Sequence, residues 1–298
     1  MPQTYEMNLM KLMDEFGSED DCRLYLERLR WPNGVACIKC GSMSISRIST
    51  RNQFDCNDCR NRFSVTSDTI MHDTHLPLRK WMLAIYMIIE GKKSISARQL
   101  GRTINVAYKT AWHLCHRIRE ALKTPDALLS GVIEVDETWI GGSVQGRGQG
   151  YKGNKSMVAG IVEREGDIRL EQLPGATKKI LGDFIDRHVS EDAEAVFTDE
   201  FGAYQDLGDK FKRHETVQHK QDEWVRGDVH TNSVEGVWAL FKRGVVGSFH
   251  GVSRKHLERY LDEFEFRFNN RDNPFIYRDA LKEIIQAPRL TWDDLTAQ

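Results

Sequence analysis

The apolar positions of the first 31 residues recur at helical spacing. The stretch "SEDDCRLYLERLRW" opens with Ser18, a favoured N-cap residue, and carries Asp21 three residues later, as in a capping box. Its apolar residues then return every three or four positions until "WPNG" (31–34), where proline and glycine end the helix. The sequence therefore predicts an N-terminal helical segment over 1–34.

A second helical region runs over 76–124 and has the spacing of a helix-turn-helix. Gly91 and the polar residues after it divide the region into two or three helices. In "SARQLGRTINVAYKTAWHLCHRIR", Asn105 occupies the turn position that often needs a positive φ, and a second helix is predicted over 108–119. The residues expected to pack the angle between the two helices are Leu100, Ile104 and Val106.

The period of the apolar residues changes after residue 131, and short strands are predicted from there on. They are Val132–Val135, Met157–Glu163, Ile168–Leu173 and Ala193–Thr198. A helix is expected over 178–188, between the last two strands, and further helices at about 233–244 and 253–269. Strands grouped first, followed by a helix and one more strand, indicate a mixed α/β sheet rather than a doubly wound parallel one.

The bulk composition is that of a soluble globular protein. With 298 residues, of which 40% are hydrophobic and 29% charged, the chain can hold two or three cores. Its longest apolar run, Trp81–Ile89, is nine residues, against the ~18–20 that a membrane span requires. The chain does not open with a basic flank and an apolar stretch, so no secretory signal is expected and a cytoplasmic location is predicted.

Charge is distributed unevenly along the chain, although its net value is only −2. Residues 31–125 carry 15 basic and 6 acidic side chains, whereas the segments on either side are acidic overall. A basic segment next to an acidic one indicates a part that contacts phosphates and a part with another task.

Four cysteines form the two-knuckle spacing of a zinc site. Cys37-x-x-Cys40 and Cys56-x-x-Cys59 are separated by fifteen residues, and four thiolates complete the tetrahedral shell of one zinc ion. A pair of disulfides is the alternative, which a cytoplasmic compartment disfavours. Four thiolates leave no open position for a substrate, so a structural zinc ribbon is predicted over 35–70. Four arginines around it suit contact with a nucleic-acid backbone or simply lie in solvent: Arg47, Arg51, Arg60 and Arg62.

The second helix of the predicted helix-turn-helix carries candidate DNA-binding side chains. Those near its N-terminal end, where base edges are usually read, are Tyr108, Lys109, Thr110 and His113. Arg117 and Arg119 follow, in positions suited to phosphates. An ordinary helical hairpin with basic, solubilising residues is the alternative interpretation.

A glycine motif further along the chain does not predict nucleotide binding. Gly148, Gly150 and Gly153 match G-x-G-x-x-G, but that fingerprint requires a helix directly afterwards to receive the phosphates. A strand-like "MVAGIVE" follows instead. The segment is therefore interpreted as a hairpin tip that carries Arg147, Lys152 and Lys155.

Three acidic residues have the pattern of a two-metal site. Asp136 is expected to end the strand "VIEVD" and Asp199 the strand "AVFTD", so the two can meet at one edge of a sheet. Such a pair of carboxylates is costly unless cations neutralise it, and divalent ions with oxygen ligands serve phosphodiester chemistry. In "HTNSVEGVWALFKRG", Glu235 lies in the first turn of a predicted helix and Lys242 follows on the same face.

With these motifs, the chain resembles bacterial insertion-sequence transposases of the ISXO-like group. These proteins pair an N-terminal zinc ribbon with a catalytic domain that carries an acidic DDE triad. The resemblance covers nearly the whole chain, and its most specific block is His230–Gly244. The segments that carry it are "YLERLRWPNGVACIKCG", "TAWHLCHRIREAL", "EVDETWIGG", "TDEFGAY", "VHTNSVEGVWALFKRGVVGSFHGVS" and "HLERYLDEFEFRFNNR".

The resemblance implies an RNase H-like mixed sheet with flanking helices over 131–275, followed by a C-terminal tail over 276–298. It implies a DNA transposase that cleaves the ends of its element and transfers them to target DNA, as a homo-oligomer assembled on DNA. A non-catalytic DNA-binding regulator and a nuclease that does not join strands are the alternatives.

The resemblance also assigns roles to the acidic residues. Asp136 and Asp199 would bridge two Mg²⁺ or Mn²⁺ ions, and Glu235 would complete their shell. Lys242 would hold a phosphate of the DNA. Asn232 and His230 lie close enough along the chain to assist Glu235.

Overall fold

The computed structural model describes residues 6–123, 127–141 and 153–297. The chain forms two compact units, one of Met1–Leu122 with Asp272–Gln298 and one of Lys123–Arg271. Across the described residues, no helix has the length and apolar character needed to cross a bilayer. Of the predicted hairpin tip, Gly148, Gly150, Arg147 and Lys152 lie outside the described residues.

The helices and strands of the described residues are these. The helices are α1 (Leu9–Glu15), α2 (Glu19–Arg30), α3 (Leu78–Glu90), α4 (Ala97–Thr103), α5 (Tyr108–Glu120), α6 (Lys178–His188), α7 (Leu207–Lys210), α8 (Asn232–Gly244), α9 (Leu257–Asn269), α10 (Ile276–Gln286) and α11 (Trp292–Thr296). The strands are β1 (Ile45–Ile48), β2 (Gln53–Cys56), β3 (Arg62–Phe63), β4 (Val132–Ile140), β5 (Ser156–Glu163), β6 (Ile168–Leu173), β7 (Ala195–Asp199) and β8 (His214–Val217).

Helix α2 begins and ends at the residues that the N-cap and the proline and glycine of the sequence predict. The Ser18 hydroxyl accepts from the N–H of Asp21 at 3.1 Å, and the Asp21 carboxylate accepts from the N–H of Ser18 at 2.9 Å. This reciprocal capping box satisfies two backbone donors that a helix start leaves unpaired. The helix ends at Arg30, before the proline and glycine of "WPNG".

Three helices fill the region of the predicted helix-turn-helix. α4 and α5 are joined by a short turn in which Asn105 has φ 52°, the left-handed conformation expected of it. Leu100 and Ile104 are buried as predicted, whereas Val106 is half-buried. The turn at Asn105 has the predicted conformation, whereas the helix-turn-helix itself and its use in DNA recognition stay predictions.

The predicted C-terminal tail, 276–298, forms α10 and α11 and belongs to the first unit. Its apolar residues repeat at helical spacing and are buried: Tyr277, Ala280, Leu281, Ile284 and Ile285. The Tyr277 hydroxyl lies 3.3 Å from the carbonyl oxygen of Met82, and the N–H of Ile70 donates to the carbonyl of Ala287 at 3.1 Å. These contacts make the C-terminal residues part of the core of the first unit.

The second unit is built on a five-stranded sheet with the order β6-β5-β4-β7-β8. β4, β5 and β6 pair antiparallel, and β7 and β8 continue the sheet parallel to β4. The sheet confirms the predicted mixed α/β architecture. Its strand order and directions are those expected of an RNase H-like domain. The bounds of α6 and β6 are those predicted from the sequence.

Each face of this sheet is covered by its own helices. On one face Ile133, Val135 and Ile161 pack in the core with α6 residues such as Phe184. On the other face Val158, Val162 and Leu170 pack with residues of α8 and α9. Because side chains alternate along a strand, successive residues of β4 and β5 supply both cores.

Two strands differ from the sequence prediction. β4 continues to Ile140, so Asp136 lies within the strand and not at its end. The strand continues because β5 pairs with it at eight positions, and polar residues on one face do not end an antiparallel pair. β8 was not predicted, since its residues, His-Glu-Thr-Val, lack an apolar pattern.

Candidate metal centres and acidic site

The four cysteines of the ribbon converge on one point. Sγ of Cys37 lies 3.6 Å from Sγ of Cys59, and Sγ of Cys40 lies 3.6 Å from Sγ of Cys56. All four are free thiols. Four sulfurs each ~2.3 Å from a tetrahedral zinc ion are ~3.8 Å apart, so the cluster fits one structural zinc.

The backbone around the cluster favours the thiolate form. Burial opposes ionisation of Cys37, but the N–H groups of Cys40 and Lys39 point towards its sulfur, and the pKa of this thiol falls to about 6. The N–H of Lys39 is 3.4 Å from Sγ of Cys37. At Cys40 the N–H of Ser42 acts in the same direction, but hydrogen bonds with the neighbouring thiols and burial raise the pKa of this thiol to about 12. Zinc binding therefore has to displace a proton from Cys40.

Cys56→Ser is expected to release zinc. Purified protein should contain about one zinc per chain, and the serine variant much less, because the fully buried Cys56 is one of only four ligands. Mass spectrometry measures the metal content of both proteins. A DNA-binding assay is run beside it, because loss of the ribbon is expected to weaken binding to the element end. The second unit should stay folded. Cys22→Ala, at a buried cysteine outside the cluster, is the control, and full zinc retention in Cys56→Ser would contradict the four-ligand assignment.

The ribbon arginines divide into two pairs. Arg47 forms an ion pair with Glu27, and Arg62 forms one with Asp55 at 2.9 Å. The other pair, Arg51 and Arg60, is exposed. Those two are the better placed to contact a nucleic-acid backbone.

The start of α5 presents the predicted base-reading residues. Tyr108 is 56% exposed, and Lys109 and Thr110 are exposed as well. His113 is half-buried, with its ring centroid 5.4 Å from that of Trp292 in α11. Lys109 Nζ is 4.3 Å from the same indole ring. The surface therefore includes an aromatic neighbour that the sequence did not indicate.

Arg117 and Arg119 do not lie where phosphate binding would place them. Their exposed fractions are 8% and 1%. The Arg117 guanidinium donates to the carbonyl of His72 at 2.8 Å and lies 5.2 Å from the Trp81 ring centroid. Burial lowers the pKa of Arg117 to about 10. We correct the prediction accordingly: both are interior residues of this conformation, and Arg117 ties two segments of the first unit together.

Asp136 and Asp199 are neighbours across two parallel strands. β4 and β7 pair as far as Glu134 and Phe197, and both strands continue two residues further, to Asp136 and Asp199. Asp199 is the last residue of β7, as the sequence predicts. The two carboxylates lie close enough for the charge of Asp199 to contribute to the raised pKa of Asp136.

Asp136 is held by a residue that sequence analysis missed. The indole N–H of Trp238, on α8, donates to Asp136 Oδ2 at 2.9 Å. Burial, with the nearby charges of Glu137 and Asp199, raises the pKa of Asp136 to about 7, although the Trp238 hydrogen bond acts in the opposite direction. Without a cation, this carboxylate is therefore substantially protonated at neutral pH.

A glycine makes room for that indole. Gly160 lies directly opposite Asp136 on β5, and a Cβ atom at Gly160 would come within 2.5 Å of the Trp238 ring. Any larger residue would displace the ring and the hydrogen bond it donates.

Asp199 is oriented by its own chain. The N–H of Phe201 donates to Asp199 Oδ1 at 2.9 Å. Burial raises the pKa of Asp199, while that N–H and the charges of His219 and Lys220 partly offset the effect. Like Asp136, it is a carboxylate whose charge the protein alone does not fully compensate.

Glu235 lies in the first turn of α8, as predicted, with its side chain 43% exposed. The Thr231 hydroxyl donates to its Oε1 at 3.3 Å, and His219 Nε2 lies 3.8 Å from the same oxygen. Lys242 is exposed two helical turns later.

A second carboxylate of β4 fixes the start of α8. Glu134 is fully buried and accepts from the N–H groups of Ser233 at 2.8 Å and Val234 at 3.1 Å. It also accepts from the Ser233 hydroxyl at 2.9 Å and from the Arg164 guanidinium at 2.7 Å. A negative charge at a helix N-terminus is favourable because the unpaired N–H groups point at it. Glu134 therefore connects α8, and with it Glu235, to the strand that carries Asp136.

His230 and Asn232 occupy different surroundings. Nδ1 of His230 lies 3.2 Å from Glu134 and 3.0 Å from the Arg164 guanidinium, so this ring is part of the Glu134 cluster. Asn232 is exposed at the first position of α8.

Among the described residues, two groups of side chains have the spacing needed to hold a metal ion. One is the cysteine cluster, and the other is formed by Asp199, Glu200 and His219. The latter overlaps the predicted acidic triad at Asp199 only. His219 and Glu200 were missed because no motif spacing joins them to the triad, although Glu200 directly follows Asp199.

The chain matches two families of transposase domains. Residues 128–269 match the ISXO2-like transposase domain, and residues 17–62 match the transposase zinc-ribbon domain. A curated relative is the uncharacterized protein in transposable element ISH50 of Halobacterium salinarum. It is 32% identical over 293 residues, which cover 91% of this chain and 97% of the relative.

Similar solved structures include the Mos1 strand transfer complex and the Mos1 mariner paired end complex with Mn. Their sequence identities are 13% and 12%, and each match covers 69% of this chain and 75% of the other, with a TM-score of 0.29. At that TM-score the likeness carries no argument about this chain. The two domain matches and the near full-length relative do, and the chain belongs to the ISXO2-like transposases of insertion sequences.

Proposed function

We propose that this transposase binds the ends of its insertion sequence and catalyses metal-dependent strand cleavage and strand transfer. The observation that carries the proposal is the adjacency of Asp136 and Asp199 on β4 and β7, both with raised pKa values. A protein gains nothing in stability from two such carboxylates, and their arrangement is explained by cations that neutralise them.

The donor set fits hard divalent ions such as Mg²⁺ or Mn²⁺. Carboxylate oxygens are their preferred ligands. Asp136 and Asp199 would hold the ions, together with Glu235 from the first turn of α8. When bound, two such ions lower the pKa of the attacking hydroxyl and stabilise the leaving oxygen in phosphodiester displacement.

The chain's own groups prepare the carboxylates for this role. Trp238 and the N–H of Phe201 each occupy one oxygen, on Asp136 and Asp199 respectively. These hydrogen bonds restrict the orientation of each carboxylate. Such fixed orientation contributes to catalysis because no reorganisation is needed when the substrate arrives. Lys242, exposed on α8, would hold a phosphate of the DNA.

The test is a cleavage and joining assay. Purified protein, a labelled element end and target DNA are incubated with Mg²⁺, Mn²⁺ or no added divalent ion. We expect ion-dependent nicking at the element end, followed by covalent products with the target, from copies of the protein assembled on the DNA. Cleavage without joining would identify a nuclease, and binding without cleavage would identify a regulator.

Recognition of the element end is expected to depend on the exposed start of α5. Lys109→Ala or His113→Ala should reduce the preference for the end sequence by ~1–3 kcal/mol if either residue reads a base. Arg98→Ala, beside Tyr108, should instead weaken binding to all sequences and flatten the salt dependence. Competition binding at several salt concentrations distinguishes the two effects.

Arg117→Ala is the contrasting variant for that experiment. Because Arg117 is buried, its loss should lower the melting temperature more than it changes DNA preference. Unchanged end preference in both Lys109→Ala and His113→Ala would move recognition elsewhere, to the zinc ribbon first.

A further inference from the structure

His219 lies in the middle of the acidic site, although it belongs to no motif. It starts the short 3₁₀ turn His219–Gln221 that follows β8. A ring nitrogen of His219 and carboxylate oxygens of Asp199 and Glu200 all lie within 4.8 Å of one another. Nε2 of the same ring is 3.8 Å from Oε1 of Glu235. The imidazole therefore stands between the strand-end and helix parts of the site.

The ring is fixed from two sides. The His219 N–H donates to Glu200 Oε2 at 2.8 Å, which holds the backbone of the turn against the end of β7. The indole of Trp224 stacks on the imidazole with centroids 4.4 Å apart and planes 25° apart. Neither contact uses a ring nitrogen.

The Nε2 atom is buried and makes no hydrogen bond. A buried polar atom normally has a partner, since leaving it unsatisfied costs free energy. Here the groups nearby are the carboxylates of Asp199, Glu200 and Glu235. A neutral imidazole has one lone pair on a ring nitrogen, which is a metal ligand of the same kind that histidine offers in many proteins.

We propose that His219 is a direct ligand of a divalent ion held by Asp199, which makes this a site with both oxygen and nitrogen donors. The inference rests on the proposed function, because it concerns the same ions. Glu200 acts as a positioning residue in it, since its carboxylate already accepts from the N–H groups of His219 and Lys220. Imidazole favours Mn²⁺ over Mg²⁺ relative to carboxylates, so the site should prefer Mn²⁺.

The test is electron spin echo spectroscopy of the zinc-loaded, full-length protein with Mn²⁺ added. A nitrogen bound to Mn²⁺ modulates the echo, and we expect that modulation in the wild type and its loss in His219→Gln and His219→Phe. The phenylalanine variant keeps a ring to stack on Trp224 and removes both nitrogens. His250→Gln, at an exposed histidine, should keep the modulation.

Affinities from calorimetry give a second readout. The His219 variants should bind Mn²⁺ about 10-fold more weakly and Mg²⁺ less than about 3-fold more weakly. Nitrogen modulation that persists in both variants, or equal losses for the two ions, would overturn the proposal. Asp199→Asn distinguishes a failure of the proposed acidic metal site from a failure of the His219 assignment. If it binds Mn²⁺ like the wild type, the proposed acidic metal site itself fails; if it loses Mn²⁺ while His219→Phe keeps unaltered modulation, only the role of His219 fails.

Discussion

Asp136→Asn and Asp199→Asn are each expected to reduce Mg²⁺-dependent cleavage and strand transfer by at least ~10³-fold while element-end binding persists. The two carboxylates lie on neighbouring strands, close enough for the charge of Asp199 to act on Asp136, and both would be needed to hold the ions. An amide has no negative charge and is a poor ligand for a shared ion. Combining the two substitutions should cost little more than one, because residues that act as a unit are not additive.

Asparagine is the informative replacement because it preserves the local contacts. Its oxygen can still accept the hydrogen bond that Trp238 donates to Asp136, or the one that Phe201 donates to Asp199. Folding and DNA binding should therefore survive, and electrophoretic binding assays run in parallel with cleavage check this. Cleavage at the wild-type rate in Asp136→Asn would refute the metal-site assignment.

The melting temperature of Asp136→Asn in the absence of divalent ions is an independent test. The direction of its change with pH follows from the raised pKa of Asp136. The pKa of Asp136 is raised from 3.8 to about 7 by burial and by the charges of Glu137 and Asp199. Between pH ~4 and ~7 the folded state thus binds more protons than the unfolded state, and wild-type stability falls as the pH rises. Asp136→Asn should melt above the wild type at pH 8, by a margin that disappears near pH 4. Added Mg²⁺ should raise the melting temperature of the wild type only.

Glu235→Gln distinguishes the third ligand. It should abolish cleavage like the aspartate variants if Glu235 completes the metal shell. If it has no effect, the third ligand shifts towards Asn232 or His230. Of these, His230 is already engaged by Glu134 and Arg164, whereas Asn232 is exposed at the start of α8.

Features encoded by short spacing could be predicted from the sequence. The two CxxC pairs place four sulfurs together because each pair lies in one tight knuckle. Asp199 follows an unbroken apolar strand, and α6 has an N-cap at Thr177 directly before its predicted start. In each case the local pattern and the tertiary structure favour the same arrangement.

Features that depend on distant partners could not be predicted. β4 extends past Asp136 because β5 pairs with it, and Arg117 is buried because its guanidinium finds a carbonyl on another segment. A basic residue late in a helix looks like a surface residue unless that partner is known. His219 and Trp238 reach the acidic site from a turn and a helix whose approach only the fold determines.

Glu134 is the clearest case of a residue whose importance appears only in the structure, because in the sequence it is one acid among 44. It lies two residues before Asp136, fully buried, and accepts from Ser233, Val234 and Arg164. The same carboxylate thus balances the half-buried guanidinium of Arg164 and caps the helix that carries Glu235. A second hydrogen bond, from the Trp238 indole to Asp136, also links α8 to β4, but it is made further along the helix.

Glu134→Gln should therefore destabilise the protein by roughly 2–3 kcal/mol, because the half-buried Arg164 guanidinium and the N-terminus of α8 both lose the negative charge that they face. Chemical denaturation of the wild type and variant measures this. Glu171→Gln is the matched control: Glu171 also lies in the sheet and pairs with an arginine, Arg187, but that arginine is 49% exposed, so a loss below ~1 kcal/mol is expected.

The effect of Glu134 on chemistry should be separable from its effect on stability. At a temperature where Glu134→Gln remains folded, cleavage should still fall, because the N-terminus of α8 is no longer held against β4 and Glu235 shifts relative to Asp136. Replacing Arg164 by Met together with Glu134 by Leu should restore part of the stability, since no buried charge is then left unpaired, without restoring cleavage. If the double variant regains wild-type cleavage, the helix is positioned by its apolar face on the sheet, and the Glu134 contact has no part in assembling the acidic site.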